Sequence, residues 1–213
     1  MTTPEVELRA AWHRLAGTTH EPSLDHLLGC HREPHRRYHT ATHVMWVLRH
    51  IDTIAGPDPA LGAPHIDLAA VRWAALFHDV VYDPTRADNE ERSALLARER
   101  AVEVGWDTTR VDAVHRLVMA TKGHAVASLD EAVLVDADLA ILGASPSDYS
   151  AYVAGVRAEY AHVPADAWRS GRTAVLEGFL ASPQLFHTAV MQRRFEARAR
   201  ANIAAECATL TRG

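Results

Sequence analysis

Apolar residues recur at helical spacing along nearly the whole chain, and this period constrains the fold more than any other feature. The clearest stripe has the i, i+3, i+4, i+7 spacing of an amphipathic helix and comprises Val44, Val47, Leu48, Ile51 and Ile54. No run of alternating polar and apolar residues indicates a convincing strand. Because 48% of its 213 residues are apolar, the chain can bury a core, and we predict one all-α domain over residues 1–213.

Caps, helix breakers and the apolar period divide the chain into helices. The predicted helices are 5–16, 23–29, 40–55, 66–80, 89–104, 108–121, 129–142, 146–161, 165–181 and 184–210. Pro164 and Pro183 stand at the starts of the last two, where proline is tolerated. The Pro- and Gly-rich segment 56–64 is predicted as a loop. We expect the N-terminal helices and the C-terminal helices of 146–210 to pack on a central bundle that contains the motif core, 36–143.

Composition and charge exclude several classes of protein. The net charge is −5, whereas a general nucleic-acid binder normally presents a positive face. No apolar run approaches the length of a membrane span, and the first residues lack the basic start and apolar core of a signal peptide. The two cysteines, Cys30 and Cys207, do not make a disulfide framework. We therefore expect a cytoplasmic protein with free thiols and with no nucleic-acid or membrane partner.

Short polar segments that carry chemistry fall on or beside four different predicted helices. They are "YHTATH" (38–43), "HD" (78–79), "TKGH" (121–124) and "DADLAILG" (136–143). Metal sites in helical bundles are built in this way, from inward-facing side chains of several helices. His43 lies four residues before Val47 and so on the apolar side of its helix, and Asp138 lies in a strongly apolar stretch. His78 and Asp79 would diverge by about 100° in mid-helix, but near a helix end both can face one ion.

These four side chains form a chemically reasonable ligand set. Two neutral imidazoles and two carboxylates around a divalent cation give zero net charge. Mixed nitrogen and oxygen ligation suits Mn, Fe, Ni or Mg and tolerates Zn or Co, so we expect one divalent metal ion. Two carboxylates buried without a cation would be costly, which disfavours a purely structural cluster. A metal-bound water with a lowered pKa is a nucleophile at neutral pH.

The ordered set "H…HD…D" resembles the HD superfamily of metal-dependent phosphohydrolases. The segments "RYHTATHV", "FHDVVYD", "NEERSA", "DADLAILG", "VRAEY", "GR" and "EARARAN" are similar to a bacterial subfamily of predicted HD phosphohydrolases, over residues 36–206. The family's last aspartate usually follows an alanine, which favours Asp138 over Asp136. The resemblance implies an HD-type helical bundle with extra N- and C-terminal helices. The metal ligands that it implies are His43, His78, Asp79 and Asp138.

Further resemblances suggest catalytic roles. "YHxxxH" is similar to the cyclic-nucleotide phosphodiesterases, where the first histidine protonates the leaving group, a role that would fall on His39. "HDVVYD" is similar to the "HDVVED" of guanosine-polyphosphate hydrolases. Tyr82 replaces the first of their two acidic residues, which disfavours that activity, while Asp83 remains a candidate to orient the attacking water. Asp79 would activate the water together with the metal. His124 is a second candidate proton donor, a substrate or second-metal contact, or simply a loop histidine.

Charged side chains near the motifs are candidates for binding substrate phosphate. Arg36, Arg37, Lys122 and Arg157 could act as bidentate or point-charge partners, and for each the alternative is a solvated surface charge. Glu90 begins a predicted helix, where an acidic residue complements the helix dipole. The subfamily resemblance also makes Glu90 a candidate site residue.

The sequence favours a metal-dependent phosphohydrolase that cleaves a phosphoester or phosphoanhydride in a small, nucleotide-like, phosphorylated molecule. One alternative is a di-iron HD-type oxygenase, in which His115 and His124 would hold the second iron. Another is a non-catalytic HD module that senses a nucleotide. A homodimer is left open.

Overall fold

The computed structural model describes residues 3–56 and 66–212, and within these residues the protein is all α-helical. This confirms the predicted fold class for the described part of the chain. The loop predicted over 56–64 lies, from residue 57 onwards, outside the described residues. The helices are α1 (Pro4–Ala16), α2 (Glu21–His31), α3 (Ala41–Ile54), α4 (Leu68–Phe77), α5 (Asn89–Glu103), α6 (Thr108–Gly123), α7 (Leu129–Asp138), a 3₁₀ helix (Leu139–Gly143), α8 (Pro146–Glu159), α9 (Ala165–Ala181), α10 (Ala189–Met191), a π-helical segment (Gln192–Glu196) and α11 (Ala197–Leu210).

The chain divides into two compact units, Met1–Asp138 and Leu139–Gly213. The single domain predicted over 1–213, with helices 146–210 packed on the motif core 36–143, stays a prediction. Cys30 lies in the first unit and Cys207 in the second, and both are free thiols.

Helix α4 is the central element of the first unit. It packs against α1, α3, α5, α6 and α7, and its residues from Ala70 to Phe77 are almost all buried. A helix that is apolar on all sides is stable only in such an interior position. The Trp73 ring stacks on Trp12 at 5.0 Å between centroids, and its indole N–H donates to the Ala97 carbonyl at 3.0 Å. The carboxyl end of α4 is therefore held inside the unit, where the "HD" pair follows it.

Two predicted helices end three or four residues earlier than expected. The helix predicted over 66–80 ends at Phe77, because the Val80 N–H donates to the Phe77 carbonyl at 3.0 Å in a tighter turn and the Val81 N–H donates to the Ser93 hydroxyl at 3.0 Å. The helix predicted over 129–142 is α-helical only as far as Asp138 and continues as the 3₁₀ helix.

The second unit contains the 3₁₀ helix and the helices that follow it, and a side chain of α11 donates to buried carbonyl groups at the end of the 3₁₀ helix. The Asn202 amide donates to the carbonyls of Leu142 at 2.8 Å and Ala144 at 3.1 Å. Nearby, Arg172 and Glu206 form a buried bidentate ion pair, with N···O distances of 2.8 and 3.1 Å. A buried charge pair of this kind needs complete hydrogen bonding to be tolerated.

The last helix begins later than predicted. We expected it over 184–210, with Pro183 at its start, but α10 begins at Ala189. The Glu196 carboxylate accepts hydrogen bonds from the backbone N–H groups of Leu185 and Phe186 at 3.0–3.1 Å. These two groups therefore have a side-chain partner outside a helix, and the chain joins the final helix only afterwards.

We predict that Gly143→Ala destabilises the protein by about 1–3 kcal/mol, the usual cost of overpacking. A Cβ at this position would lie 2.7 Å from the Phe195 Cβ and 2.9 Å from the Phe195 carbonyl oxygen. The free energy of unfolding, measured by urea denaturation, tests this expectation.

Gly178→Ala is the matched control, because a Cβ at Gly178 meets no atom within 4 Å and the residue lies inside α9. We expect this change to be neutral or to stabilise the protein by up to about 1 kcal/mol, the helix-propensity difference. Equal effects of the two substitutions would contradict the close approach at Gly143.

Candidate metal centre

Helix α3 places His43 inside the first unit. The Thr40 hydroxyl caps this helix by accepting from the Thr42 N–H at 3.3 Å, so His43 lies in the first turn. Its side chain is buried, on the same side of α3 as Val47. The imidazole that the sequence placed on the apolar face therefore points into the interior and away from solvent.

The ends of α4 and α7 bring the other candidate ligands to the same point. The His78 N–H bonds to the Ala74 carbonyl at 2.8 Å and completes the last turn of α4, after which Asp79 begins a turn. His78 Nε2 and Asp79 Oδ2 lie 3.1 Å apart, so these adjacent residues do face one point, as a helix end permits. Asp138 is the last residue of α7, and its Oδ1 lies 3.2 Å from the Nε2 of His43.

The separations between these donor atoms fit a bound cation. The two Nε2 atoms of His43 and His78 are 3.0 Å apart, and their distances to the oxygens of Asp79 and Asp138 are 3.1–3.5 Å. With bonds of about 2.1 Å, neighbouring ligand atoms lie about 3.0 Å apart in octahedral geometry and about 3.4 Å apart in tetrahedral geometry. Among the described residues, His43, His78 and Asp138 form the one group of side chains close enough to hold a metal ion. Asp79 adds a second carboxylate beside both histidines.

The tautomer that His78 adopts in the neutral ring also suits a metal ligand. Its Nδ1 lies 2.9 Å from the carbonyl oxygen of Ala75, which can only accept, so Nδ1 carries a proton. In the neutral ring the lone pair is then on Nε2, the atom that faces the cluster. In many metal-binding histidines, a hydrogen bond from the ring nitrogen that does not bind the metal fixes the tautomer and the orientation of the ring.

Electrostatic contacts within the cluster outweigh the cost of its burial. Burial by itself lowers the pKa of His78, but the carboxylates of Asp79 and Asp138 raise it well above its ordinary value. Burial likewise raises the pKa of each carboxyl, yet the neighbouring imidazoles hold both well below their ordinary values. The carboxylates thus require positive charge between them, which protonated imidazoles or a divalent cation can provide.

His39 lies at the edge of the cluster, in the turn before α3. Its ring centroid is 5.8 Å from that of His43 and 4.3 Å from that of Tyr82. The ring is half-buried. The structure thus brings His39 next to a candidate ligand, and its role as a proton donor stays a prediction.

His124 is the second histidine beside the candidate ligands. It caps α6 with φ 53° and ψ 29°, the one positive φ at a non-glycine residue in the described chain. Its Nε2 lies 3.8 Å from Asp138 Oδ2. Such a backbone conformation costs on the order of 1–3 kcal/mol and often occurs at functional sites. His124 therefore lies close enough to take part in chemistry, although its role stays a prediction.

The Asp83 carboxylate has a local structural partner. It accepts from the Thr85 N–H at 2.9 Å and from the Thr85 hydroxyl at 2.7 Å. Asn89 bonds to the backbone of Asp83 in both directions, at 3.1 and 2.8 Å, and the Ser93 hydroxyl accepts from the Val81 N–H at 3.0 Å. Asn89 and Ser93 belong to "NEERSA", so this motif supports the backbone that follows the "HD" pair. The expected role of Asp83 in orienting water stays a prediction.

Lys122 and Arg157, two of the predicted phosphate-binding residues, make polar contacts with groups other than the candidate ligands. Lys122 donates to the Ala87 carbonyl at 2.9 Å and pairs with Glu91 on α5. Glu90 lies in the first turn of α5, half-buried, and Arg37 is exposed before α3. Their substrate-binding roles stay predictions.

Arg157 belongs to the second unit. Its guanidinium donates to the carbonyls of Tyr160 at 2.6 Å and Val163 at 3.2 Å, and lies 5.2 Å from the centroid of the Trp168 ring. These contacts hold the turn after α8. They give Arg157 a structural role, and its contact with substrate stays a prediction.

The expectation that Arg36 binds phosphate is wrong. Its side chain is 0% exposed, and its guanidinium donates to the backbone carbonyls of His39, Asp79 and Val80. The position of Arg36, immediately before the "RYHTATH" segment, could be read from the sequence. The sequence does not show whether an arginine at this position faces a substrate or the backbone.

Comparisons with protein-family models, with curated proteins and with solved structures give no match to this chain. No helix in the described residues is both long and apolar enough to cross a membrane. Fold and site together define an all-α protein with a buried His–His–Asp cluster that can hold a metal ion.

We predict that the wild-type protein binds one Mn²⁺ per chain. We expect His43→Ala to weaken this binding by more than about 100-fold, because loss of an outer-shell partner already costs about 10- to 100-fold in affinity and His43 would be a direct ligand. Isothermal titration calorimetry with the metal-free protein measures the affinity. His50→Ala is the control, because His50 lies on the same helix but stacks on Trp46, with ring centroids 5.6 Å apart. Unchanged Mn²⁺ affinity in His43→Ala would show that the cluster is not a metal site.

Proposed function

We propose that the protein is a metal-dependent phosphohydrolase of the HD type, acting on a small phosphorylated molecule such as a nucleotide. The convergence of His43, His78 and Asp138 at separations of 3.0–3.5 Å, with Asp79 3.1–3.3 Å from both histidines, carries this proposal. Two neutral imidazoles and two carboxylates would neutralise a divalent cation. When bound there, such an ion would lower the pKa of water and stabilise negative charge on a phosphoryl group.

The partial exposure of the carboxylates supports access to substrate. The side chains of Asp79 and Asp138 are 19% and 16% exposed, whereas those of His43 and His78 are at most 3% exposed. The histidines thus form the inner side of the cluster and the carboxylates its open side. Although burial raises the pKa of Asp79, the neighbouring imidazoles hold it low, so the carboxylate is ionised at neutral pH and can accept a hydrogen bond from an attacking water.

His39 supports hydrolysis over simple metal storage. A hydrolase needs an acid for the leaving oxygen, and His39 is a half-buried imidazole beside a candidate ligand. Its ring lies against Tyr82, which restricts its orientation. We assign His39 the role of proton donor to the leaving group, and His124 the role of the alternative donor on the side of Asp138.

Neither alternative function has an observation that favours it. A di-iron site needs further ligands, and among the described residues His115 is outside the one group that could hold a metal. A sensor without turnover would not need a candidate proton donor such as His39 beside a metal ligand. The net charge of −5 also agrees with a small-molecule substrate better than with nucleic acid.

The direct test is phosphate release by the Mn²⁺-loaded protein from a panel of nucleotides, dinucleotides and general phosphoesters. We expect turnover of at least one substrate, with activity abolished in Asp138→Ala and retained in His50→Ala. A metal-bound protein that releases no phosphate from any of them would contradict the proposed reaction while leaving the metal site intact.

We predict that His39→Gln slows hydrolysis of alkyl phosphoesters by about 100- to 10,000-fold, the usual contribution of a general acid. The effect on p-nitrophenyl phosphoesters should be much smaller, because p-nitrophenolate leaves without being protonated. The ratio of the two kcat values reports the acid role directly. His124→Gln is the comparison: if it, and not His39→Gln, produces this dependence on the leaving group, the donor is His124.

A further inference from the structure

We propose that Arg36 is a positioning residue of the metal centre, whose single guanidinium fixes the backbone at both His39 and Asp79. The inference rests on the proposed function, because it concerns the same site. At the site, Arg36 donates its hydrogen bonds to main-chain carbonyls, so it would act through the two segments that it joins.

The contacts of Arg36 connect two distant parts of the chain. Its Nη1 donates to the His39 carbonyl at 3.0 Å and to the Asp79 carbonyl at 2.7 Å, and its Nη2 donates to the Val80 carbonyl at 3.0 Å. Arg36 and Asp79 are 43 residues apart in sequence. One cation thus joins the turn that carries the candidate acid to the turn that carries a candidate ligand.

The surroundings of Arg36 make this link rigid. Glu33 accepts from its Nε at 2.9 Å, and its guanidinium carbon lies 5.3 Å from the centroid of the Tyr82 ring, the ring that also contacts His39. The side chain is fully buried. Leaving buried carbonyl groups without donors is costly, so the backbone follows the guanidinium.

Lysine cannot replace this arrangement. The guanidinium is a planar group that directs its N–H bonds toward several acceptors at once, whereas an ammonium is a compact charge with three donors at one point. The neighbouring His31 adds no second positive charge beside Arg36, because burial and the charge of Arg36 lower its pKa to about 3. Arg36 is therefore suited to its position by shape as well as by charge.

Binding of Co²⁺ tests the proposal without requiring turnover. The visible absorption of bound Co²⁺ reports ligand geometry, and a titration gives the dissociation constant. We expect Arg36→Lys to fold, to bind Co²⁺ about 10- to 100-fold more weakly, as outer-shell changes typically do, and to show an altered Co²⁺ spectrum. Arg32→Lys is the matched control, because Arg32 lies four residues earlier and pairs with Glu5 at the surface; its Co²⁺ affinity and spectrum should equal those of the wild type.

The outcomes separate this inference from the proposed function. A wild-type protein that binds no Co²⁺ would overturn both. If the wild type binds Co²⁺ and a folded Arg36→Lys binds it with the same affinity and spectrum, only the role of Arg36 is overturned. If Arg36→Lys does not fold by circular dichroism, Glu33→Ala decides, since it keeps the guanidinium but removes the acceptor of its Nε–H group. A several-fold loss of affinity with a changed Co²⁺ spectrum in Glu33→Ala supports the proposal, and wild-type behaviour overturns it.

Discussion

The interior of the first unit is organised by the need to bury two carboxylates against two imidazoles. Transfer of a carboxylate from water into a protein interior costs several kcal/mol unless opposite charge is supplied in place. Asp79 and Asp138 meet this condition by contact with His43 and His78, and the resulting pKa values keep both carboxyl groups ionised. Three helices end or begin at this point. The four side chains are brought together by the termini of these helices.

A site built from helix ends leaves irregular backbone beside it, and this backbone also needs hydrogen-bond partners. Side chains supply them here. Ser93 and Asn89 bond to the segment after the "HD" pair, and Arg36 bonds to the carbonyls on both sides of the cluster. The cluster is therefore surrounded by polar residues whose partners are main-chain atoms. Such residues give hydrogen-bond partners to the irregular backbone around the candidate site.

In the second unit, too, side chains supply hydrogen-bond partners for backbone groups at a helix end. Its 3₁₀ helix ends in carbonyl groups that Asn202 satisfies, and the close approach of Gly143 to Phe195 leaves no space for a side chain. Here the polar contacts join α11 to the 3₁₀ helix, and the buried pair of Arg172 and Glu206 joins α9 to α11. Polar burial is thus a general feature of this chain, and the convergence of donor atoms is what distinguishes the candidate metal centre.

The sequence by itself determined the helical class, the helix interiors and the candidate ligands, because these depend on local periodicity and on residue type. The stripe through Val44 and Ile51 needs no knowledge of distant residues, and neither does the choice of His78 and Asp79 as ligand types. Only the tertiary structure decided where helices end, that Arg36 faces backbone and that His124 adopts a positive φ beside Asp138. These features depend on hydrogen bonds between residues far apart in sequence, and a local pattern contains no information about which distant group will become the partner.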